Sequence, residues 1–450
     1  MAMKVHLVGM GGIGMSAVAQ LFMARGARVS GSDSADSALL RKVRARGAKI
    51  FVGHSAANVD HPDLVVYSSA VPPQNPELVQ ARNRGIPVLH RGQVLAELVA
   101  SRRTIAVAGA HGKSTTSALT AQLLVAAGLD PTVVLGAEVE ALGGNARLGE
   151  GPYAVVEADE SDGSFLWLQP YIAIITNLDD EHLDYFRNRF EIRQAYRSFA
   201  ERTVPQGAVV GCADDPSVCR VLRASGRKQL TYGLTPRAEI RAEQVELKGR
   251  ESRYRCTRGG RTLGQVALRV PGIHNVVNSL AAVAVAQLLG LEFGTLAAAL
   301  AEYRGAKRRF QVHGEPRRVM VVEDYAHHPT EVAATLRAAR GWPGRRIRCV
   351  FQPHRYTRTR YLMGRFGSAF ADADEVILLP VYSASEQPIE GATAERLREA
   401  ICSGGRKKVS VRSPEDALAL LTESARPGDM ILFLGAGSVG GLASRLAKAL

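Results

Sequence analysis

The stretch that decides the fold is TIAVAGAHGKSTT, residues 104–116. Its apolar start, Thr104 to Ala108, reads as a buried strand. The glycine turn Gly109-Ala110-His111-Gly112 follows, and Lys113-Ser114-Thr115 leads into a helical run over Thr115 to Ala127, for which Gly128 is a suitable C-cap. A strand that turns through glycines into a helix offers backbone amides to a phosphate, a lysine for charge and a hydroxyl for magnesium. The loop departs from G-x-x-x-x-G-K-[ST], because the first glycine would fall at Val107; a chance glycine loop is the competing reading. Working outward, Tyr153 to Val156 and Ile172 to Thr176 are further buried-type strands that run into carboxylates. Glu157 ends the first, and Asp159, Glu160 and Asp162 follow. Alone, such a run is more often a solvated loop, but beside a phosphate-loop strand Glu157 reads as a metal ligand. The second continues into Asn177, Asp179, Asp180, Glu181, His182 and Asp184. There His182 is either a second-metal ligand or a structural histidine.

The flanks repeat the alternation of apolar runs with helical stretches, which gives three α/β units split near residues 103 and 312. In the first, Gly9-Met-Gly11-Gly12-Ile-Gly14 directly follows the strand Val5 to Val8, and Asp33 closes the next strand at about the spacing of a ribose contact. NAD, another nucleotide and a plain tight turn all remain open on that motif. A second copy, Gly435 to Gly440, reads as a strand-to-helix turn. The third unit has strands at Val319 to Val322, Ile347 to Phe351, Val376 to Leu379 and Ile431 to Leu434. Asp324-Tyr325-Ala-His327-His328-Pro329 follows the first of these, and its neighbouring histidines point apart if extended. In Pro353-His354-Arg355-Tyr356-Thr357-Arg358 two arginines lie three apart, on one face if helical, which suits either a solvated face or a carboxylate clamp. Leu280 to Leu289 reads as a buried helix ending at Gly290, and Glu302 to Arg309 as a charged connector.

With 450 residues, 46% hydrophobic and 22% charged, the chain is of ordinary globular composition, which sets aside the disordered and fibrous classes. No apolar run approaches the ~18 residues of a spanning helix, and no secretory signal is evident, so a cytoplasmic protein is expected. Five scattered cysteines form no C-x-x-C, against a disulfide framework or zinc ribbon. The formal charge of +14 invites a nucleic-acid partner. The basic clusters are short and dispersed, without aromatic interleaving, and polyanionic small ligands account for the charge as well. No nucleic-acid partner is expected.

Taken together, the motifs resemble the Mur ligase family, ATP-dependent enzymes that build the peptidoglycan stem peptide. GAHGKSTT (109–116), EADESDGSF (157–165), TNLDDEHLD (176–184), GIHNVVN (272–278), DYAHHP (324–329) and QPHRYTRT (352–359) occur in the family's order and approximate spacing. Within the family, GMGGIGMSA, DESDGSF and HRYTRT resemble the members that add the first residue, L-alanine. The recycling ligases that attach a whole peptide are the alternative. The resemblance implies a Rossmann-like UDP-sugar domain (1–103), a central P-loop ATPase-like domain with a mostly parallel sheet (104–312) and a Rossmann-like domain (313–450) that closes over ATP with the amino acid. It implies that Gly9, Gly11, Gly12 and Gly14 hold the diphosphate of UDP-N-acetylmuramate, with Asp33 near the uridine. ATP would engage Gly109, Ala110, His111, Gly112, Lys113, Ser114 and Thr115, its adenine Asn275 and Asn278, and its ribose Asp324, with Arg308 alongside. Mg2+ would take Ser114, Glu157 and His182. Tyr325, His327, Arg355 and Arg358 would line the alanine pocket, and Lys113, Glu157, His182 and His327 would carry the chemistry. The quaternary state implied is monomer or homodimer. One departure stands out: several relatives carry a carbamylated lysine where this chain, between Phe190 and Phe199, has none.

Overall fold

The computed structural model describes residues 2–181, 185–405 and 408–450. The chain condenses into two compact units, the first made of Met1–Ala242, Cys256–Gly264 and Val277–Leu300, the second of Glu243–Arg255, Gln265–Val276 and Ala301–Leu450.

The first unit holds one whole sheet and the greater part of a second. One is five-stranded and wholly parallel, in the order Lys49–Val52, Arg28–Asp33, Lys4–Val8, Leu64–Tyr67, Val88–His90. The helix Ile13–Ala24 makes the first crossover and Arg91–Val99 leads out of the sheet, and they bury Val18, Leu21, Leu95 and Leu98 against Val5 and Leu7 of the central strand. The strand order reverses at Lys4–Val8. A crevice therefore opens over the carboxyl ends of that strand and of Leu64–Tyr67, where Gly9 and Ser69 follow.

In the second sheet Arg103–Ala108 lies between Tyr153–Glu157 and Ile172–Ile175, parallel to both. Thr132–Val139 continues it on one side, with the antiparallel Gly144–Arg147 at the edge, and Ala208–Cys212, Gln229–Gly233 and Ile240–Lys248 continue it on the other. Ala106, Ala108, Ile172, Ala173 and Ile175 are fully buried, as a strand covered on both faces demands. The strands Gln229–Gly233, Ile240–Lys248, Glu251–Arg258 and Arg261–Leu268 were not anticipated in the sequence. Their residues alternate: in Glu251–Arg258, Tyr254 and Cys256 are buried while Arg253 is exposed, so no continuous apolar run marks the strand.

The second unit carries a six-stranded sheet in the order Gln311–Gly314, Met320–Asp324, Asp429–Leu434, Arg346–Phe351, Glu375–Leu378, Val409–Val411. Only the first of these is antiparallel to its neighbour. Gly435 leaves the strand Asp429–Leu434 with φ +149° and leads to the helix Val439–Ala449, the strand-to-helix turn expected of the second glycine motif. Two helices begin earlier than their apolar runs suggest. Lys113–Ala126 starts at Lys113, and Ile273–Leu289 starts seven residues before Leu280, bringing Asn275 and Asn278 into its first turns.

Candidate active site

The phosphate loop is fixed by its neighbours. Gly109 has φ +138° and packs so tightly on Thr176 that no side chain would fit, while Gly112 has φ +81°, a left-handed conformation that favours glycine. The segment after Ile172–Ile175 clasps the loop. The Asn177 carbonyl accepts from the Ala110 amide at 3.1 Å, its side-chain oxygen accepts from the His111 amide at 2.8 Å, and its amide nitrogen donates to the His111 carbonyl at 3.0 Å. His111 also meets Asp179 at 3.0 Å. Thr176, expected as the last residue of its strand, and Asn177, expected as the start of an acidic stretch, instead hold the loop; a threonine-asparagine pair at a strand end is the available signal.

Lys113 lies in the first turn of the helix, with Nζ 2.7 Å from both the Gly109 carbonyl and the Glu160 carboxylate. Burial favours its neutral form, but Glu160, Asp159 and Glu157 outweigh that and hold the ammonium above the ordinary lysine range. Glu160, only 2% exposed, is thus the lysine's counter-ion and not the solvated acid that its sequence context suggests. Ser114 Oγ donates to Glu157 Oε1 at 3.1 Å, and the Gly136 amide donates to Glu157 Oε2 at 2.8 Å. Ser114 and Glu157 together offer hard oxygens beside the phosphate cradle, a donor set that fits a magnesium ion retaining several of its waters. His182 lies outside the described residues.

In the five-stranded sheet, Gly9 (φ +82°) and Met10 donate their amides to the Ser32 carbonyl, both at 2.9 Å. Asp33 Oδ2 accepts from the Gly11 amide at 2.8 Å, so its carboxylate closes on the glycine loop. Behind it, Glu77 is fully buried and accepts from Ser32 at 2.5 Å and Asn58 at 2.6 Å, with His54 at 3.1 Å. Burial would raise its carboxyl, yet His6, Ser32, Asn58 and His54 prevail and bring it down to about 2. Gly12 and Gly14 flank the start of the helix Ile13–Ala24. A side chain at Gly14 would press on Arg91, which reaches Asp159 at 3.3 Å and Asp162 at 3.7 Å. The glycine crevice and the acidic loop beside Lys113 therefore share one ion cluster. Arg91 was not foreseen, since a lone arginine opening a helix carries no motif.

In the second unit, Asp324 accepts from the amides of Phe310 at 2.7 Å and Ala326 at 2.8 Å. Burial pushes its carboxyl up to about 6. Arg308 donates to Glu323 at 2.7 Å and to the carbonyls of Gly435 at 2.9 Å and Gly437 at 3.1 Å, tying the connector to the glycine turn. Tyr325, His327, His354 and Tyr382 form a chain of ring contacts, with successive centroids 5.3, 5.9 and 5.5 Å apart. The adjacent histidines diverge as expected: His327 sits 2.9 Å from the Tyr325 carbonyl, whereas His328 caps the helix Pro329–Ala339. The condition under which Arg355 and Arg358 would share a face, one helix running through both, is not met. Arg355 precedes the helix Tyr356–Tyr361 with φ +68° and ψ +138°, so helical spacing does not relate the two side chains. Arg358 meets His354 Nδ1 at 3.1 Å. Asn275 donates to the Pro271 carbonyl at 2.7 Å, and the Asn278 amide lies against Gly112.

A phosphate loop with a paired hydroxyl and carboxylate, followed in the chain by a second α/β unit, marks a nucleotide-dependent enzyme of three-domain build. Residues 4–103 match the "Mur ligase family, catalytic domain", residues 107–286 the "Mur ligase middle domain" and residues 308–437 the "Mur ligase, glutamate ligase domain". The chain belongs to the Mur ligase family. Among its relatives is the UDP-N-acetylmuramate--L-alanine ligase of Pelotomaculum thermopropionicum, 47% identical over 99% of this chain and 97% of that protein. The same-named enzyme of an Anaeromyxobacter species is 46% identical over 97% of this chain and 95% of its own. The crystal structure of UDP-N-acetylmuramate-alanine ligase from Thermotoga maritima superposes with a TM-score of 0.85 at 32% identity, covering 99% of this chain and 98% of that one. A murein peptide ligase from Psychrobacter arcticus gives 0.73 at 25% identity, covering 100% and 98%. No described helix is long and apolar enough to cross a membrane.

Proposed function

We propose that this chain is an ATP-dependent ligase that joins L-alanine to the lactyl carboxylate of UDP-N-acetylmuramate, a step of peptidoglycan precursor synthesis in the cytoplasm. The observation that carries the reading is the Lys113–Ser114–Glu157 grouping at the phosphate loop, in a chain 47% identical over 99% of its length to an alanine-adding ligase. The greater likeness to the alanine-adding structure, TM-score 0.85 against 0.73 for the peptide-adding one, favours a single amino acid over a peptide.

A carboxylate and an amine do not condense readily in water. In this reading the γ-phosphoryl of ATP moves to the sugar's carboxylate, giving an acyl phosphate, which the neutral amine of alanine attacks with release of phosphate. The amides of the Gly109–Gly112 turn and the Lys113 ammonium orient the phosphates. Ser114 and Glu157 are the residues to hold magnesium, which when bound neutralises charge developing in the transfer. Glu160 keeps Lys113 charged until a phosphate competes for it. Gly9 to Gly14 take the UDP diphosphate and Asp33 the uridine end. Asn275, Asn278, Asp324 and Arg308 serve the nucleotide, and Tyr325, His327, Arg355 and Arg358 the amino acid, with guanidinium gripping carboxylate so that the amine stays free. The domain divisions are placed near residues 103 and 312.

The test is phosphate release from ATP with UDP-N-acetylmuramate, with and without each amino acid and the stem tripeptide. Turnover specific to L-alanine is expected. Turnover with tripeptide alone would assign the chain to the recycling ligases, and release without amide formation would set ligation aside.

A further inference from the structure

Beyond the strand ends Phe351 and Leu378, two loops of the second unit stay zipped together. The Leu379 amide donates to the Phe351 carbonyl at 2.9 Å, the Tyr382 amide to the Pro353 carbonyl at 2.8 Å, and the Arg355 amide to the Tyr382 carbonyl at 2.8 Å. The His354 and Tyr382 rings stack at 5.5 Å and 11°. Three non-glycine residues in these loops have positive φ: Arg355 at 68°, Ala384 at 49° and Ser385 at 70°. Such backbone is strained and persists only where surrounding contacts enforce it.

Besides these backbone hydrogen bonds, a side chain, Glu386, joins the two loops. The turn that carries it is closed by its amide donating to the Ser383 carbonyl at 3.0 Å. Its carboxylate accepts from the Thr357 amide at 3.1 Å and the Thr357 hydroxyl at 2.7 Å, and it lies 3.9 Å from Arg355 Nε. The helix Tyr356–Tyr361 has no capping side chain of its own at Arg355, so Glu386 caps it from across the loops. One carboxylate thus fixes the start of the helix bearing Arg358 and flanks Arg355. Both ends are only partly exposed, Glu386 at 18% and Arg355 at 35%, so the pair is not a freely solvated surface bridge.

We infer that Glu386 is a positioning residue for amino-acid recognition, holding the Arg355–Arg358 segment in the strained arrangement that receives the incoming carboxylate. The inference rests on the reading of Arg355 and Arg358 as the alanine clamp. Glu386 touches no substrate in this scheme; it acts through Thr357 and Arg355. A cap of this kind is worth about a tenfold change in the equilibrium it supports.

The experiment is steady-state kinetics of E386A, E386Q and R355A with each of ATP, UDP-N-acetylmuramate and L-alanine varied in turn. E386A should raise the alanine KM about tenfold, with kcat at saturating alanine and the other two KM values within about twofold of the parent. E386Q keeps an oxygen for Thr357 and should recover most of the loss, leaving about a threefold rise confined to alanine. Should E386A fail to fold, that selective rise in E386Q carries the test. An unchanged alanine KM, or three KM values rising together, would overturn the inference. R355A separates the two levels: if it raises the alanine KM and the Glu386 variants do not, only the positioning role falls. If R355A itself is silent, the clamp reading falls and this inference with it.

Discussion

Replacing Gly112 by alanine should damage the nucleotide site in a way that replacing Gly128 by alanine does not, although both glycines flank the same helix in the same backbone region. Gly112 has φ +81° and Gly128 φ +71°, so each substitution carries the left-handed penalty of about 1–2 kcal/mol. They differ in what a new methyl meets. At Gly128 there is open space, whereas at Gly112 the methyl would lie closer than 3.0 Å to Asn278 Oδ1. Ordinary contact begins near 3.4 Å, so the Asn278 amide must retreat by several tenths of an ångström at least, in a side chain only 7% exposed. Overpacking of that kind adds about 1–3 kcal/mol. If Asn278 meets the adenine, displacing it costs about tenfold or more in ATP affinity, since 1.4 kcal/mol is a factor of ten. Chemical unfolding and calorimetric ATP titration of both variants measure the two effects. G112A should lose more stability than G128A and should alone lose ATP affinity, with binding of the UDP-sugar unchanged. The contact itself is tested by the double variant G112A/N278A, whose stability loss should be smaller than the sum of the single losses. Equal stabilities and equal ATP affinities in G112A and G128A would refute the reasoning.

Lys113→Ala should lower ligation by orders of magnitude while leaving UDP-sugar binding intact, as measured by single-turnover kinetics beside a binding titration; near-parental ligation would remove the lysine from the transfer. Glu157→Gln should shift the magnesium dependence of turnover to higher concentration by about tenfold, because one carboxylate oxygen now facing Ser114 or the Gly136 amide becomes an NH2 group; superimposable magnesium titrations would count against a metal there. Asp324 gives a pH prediction. Burial lifts its carboxyl from an ordinary 3.8 to about 6, so its contribution to stability is full below pH 3.8 and is lost as pH rises through 6. That amounts to about 3 kcal/mol at 1.36 kcal/mol per pH unit. The stability of the parent minus that of Asp324→Asn should fall by this order between pH 4 and 7, and a flat difference curve would show that the group titrates normally.

The parts of the site legible in the sequence are those built by one contiguous segment. Arg103 to Ser114 is a strand, a turn and a helix start in a dozen residues, and glycine is dictated at Gly112 by its own φ. Glu157 was legible because it ends a strand next to the loop's strand. What escaped was set by contacts distant in sequence. Glu160 reaches Lys113 across 47 residues and Arg91 reaches Asp159 across 68. Glu386 meets Thr357 across 29, so neither local pattern hints at the other. Spacing also misled at Arg355, where two arginines three apart suggest a shared helical face and the backbone instead turns left-handed before the helix begins. That conformation is held by the other loop, and a sequence window around Arg355 contains none of it.

Sheet register joins these observations. Arg103–Ala108 pairs with Tyr153–Glu157 so that Val107 lies opposite Glu157, and with Ile172–Ile175 so that Ala108 lies opposite Ile175. Both neighbours therefore end level with the start of the phosphate loop, one delivering Glu157 to Ser114 and the other delivering Thr176 and Asn177 to the loop's backbone. A slip of one residue in either pairing would turn Glu157 to the opposite face of the sheet or separate Asn177 from His111. Fully buried apolar runs on all three strands make such a slip costly, because each would carry an apolar side chain out of its packing. The hydrophobic residues that seem only to build the core are thus what sets the distance between the lysine, the hydroxyl and the carboxylate.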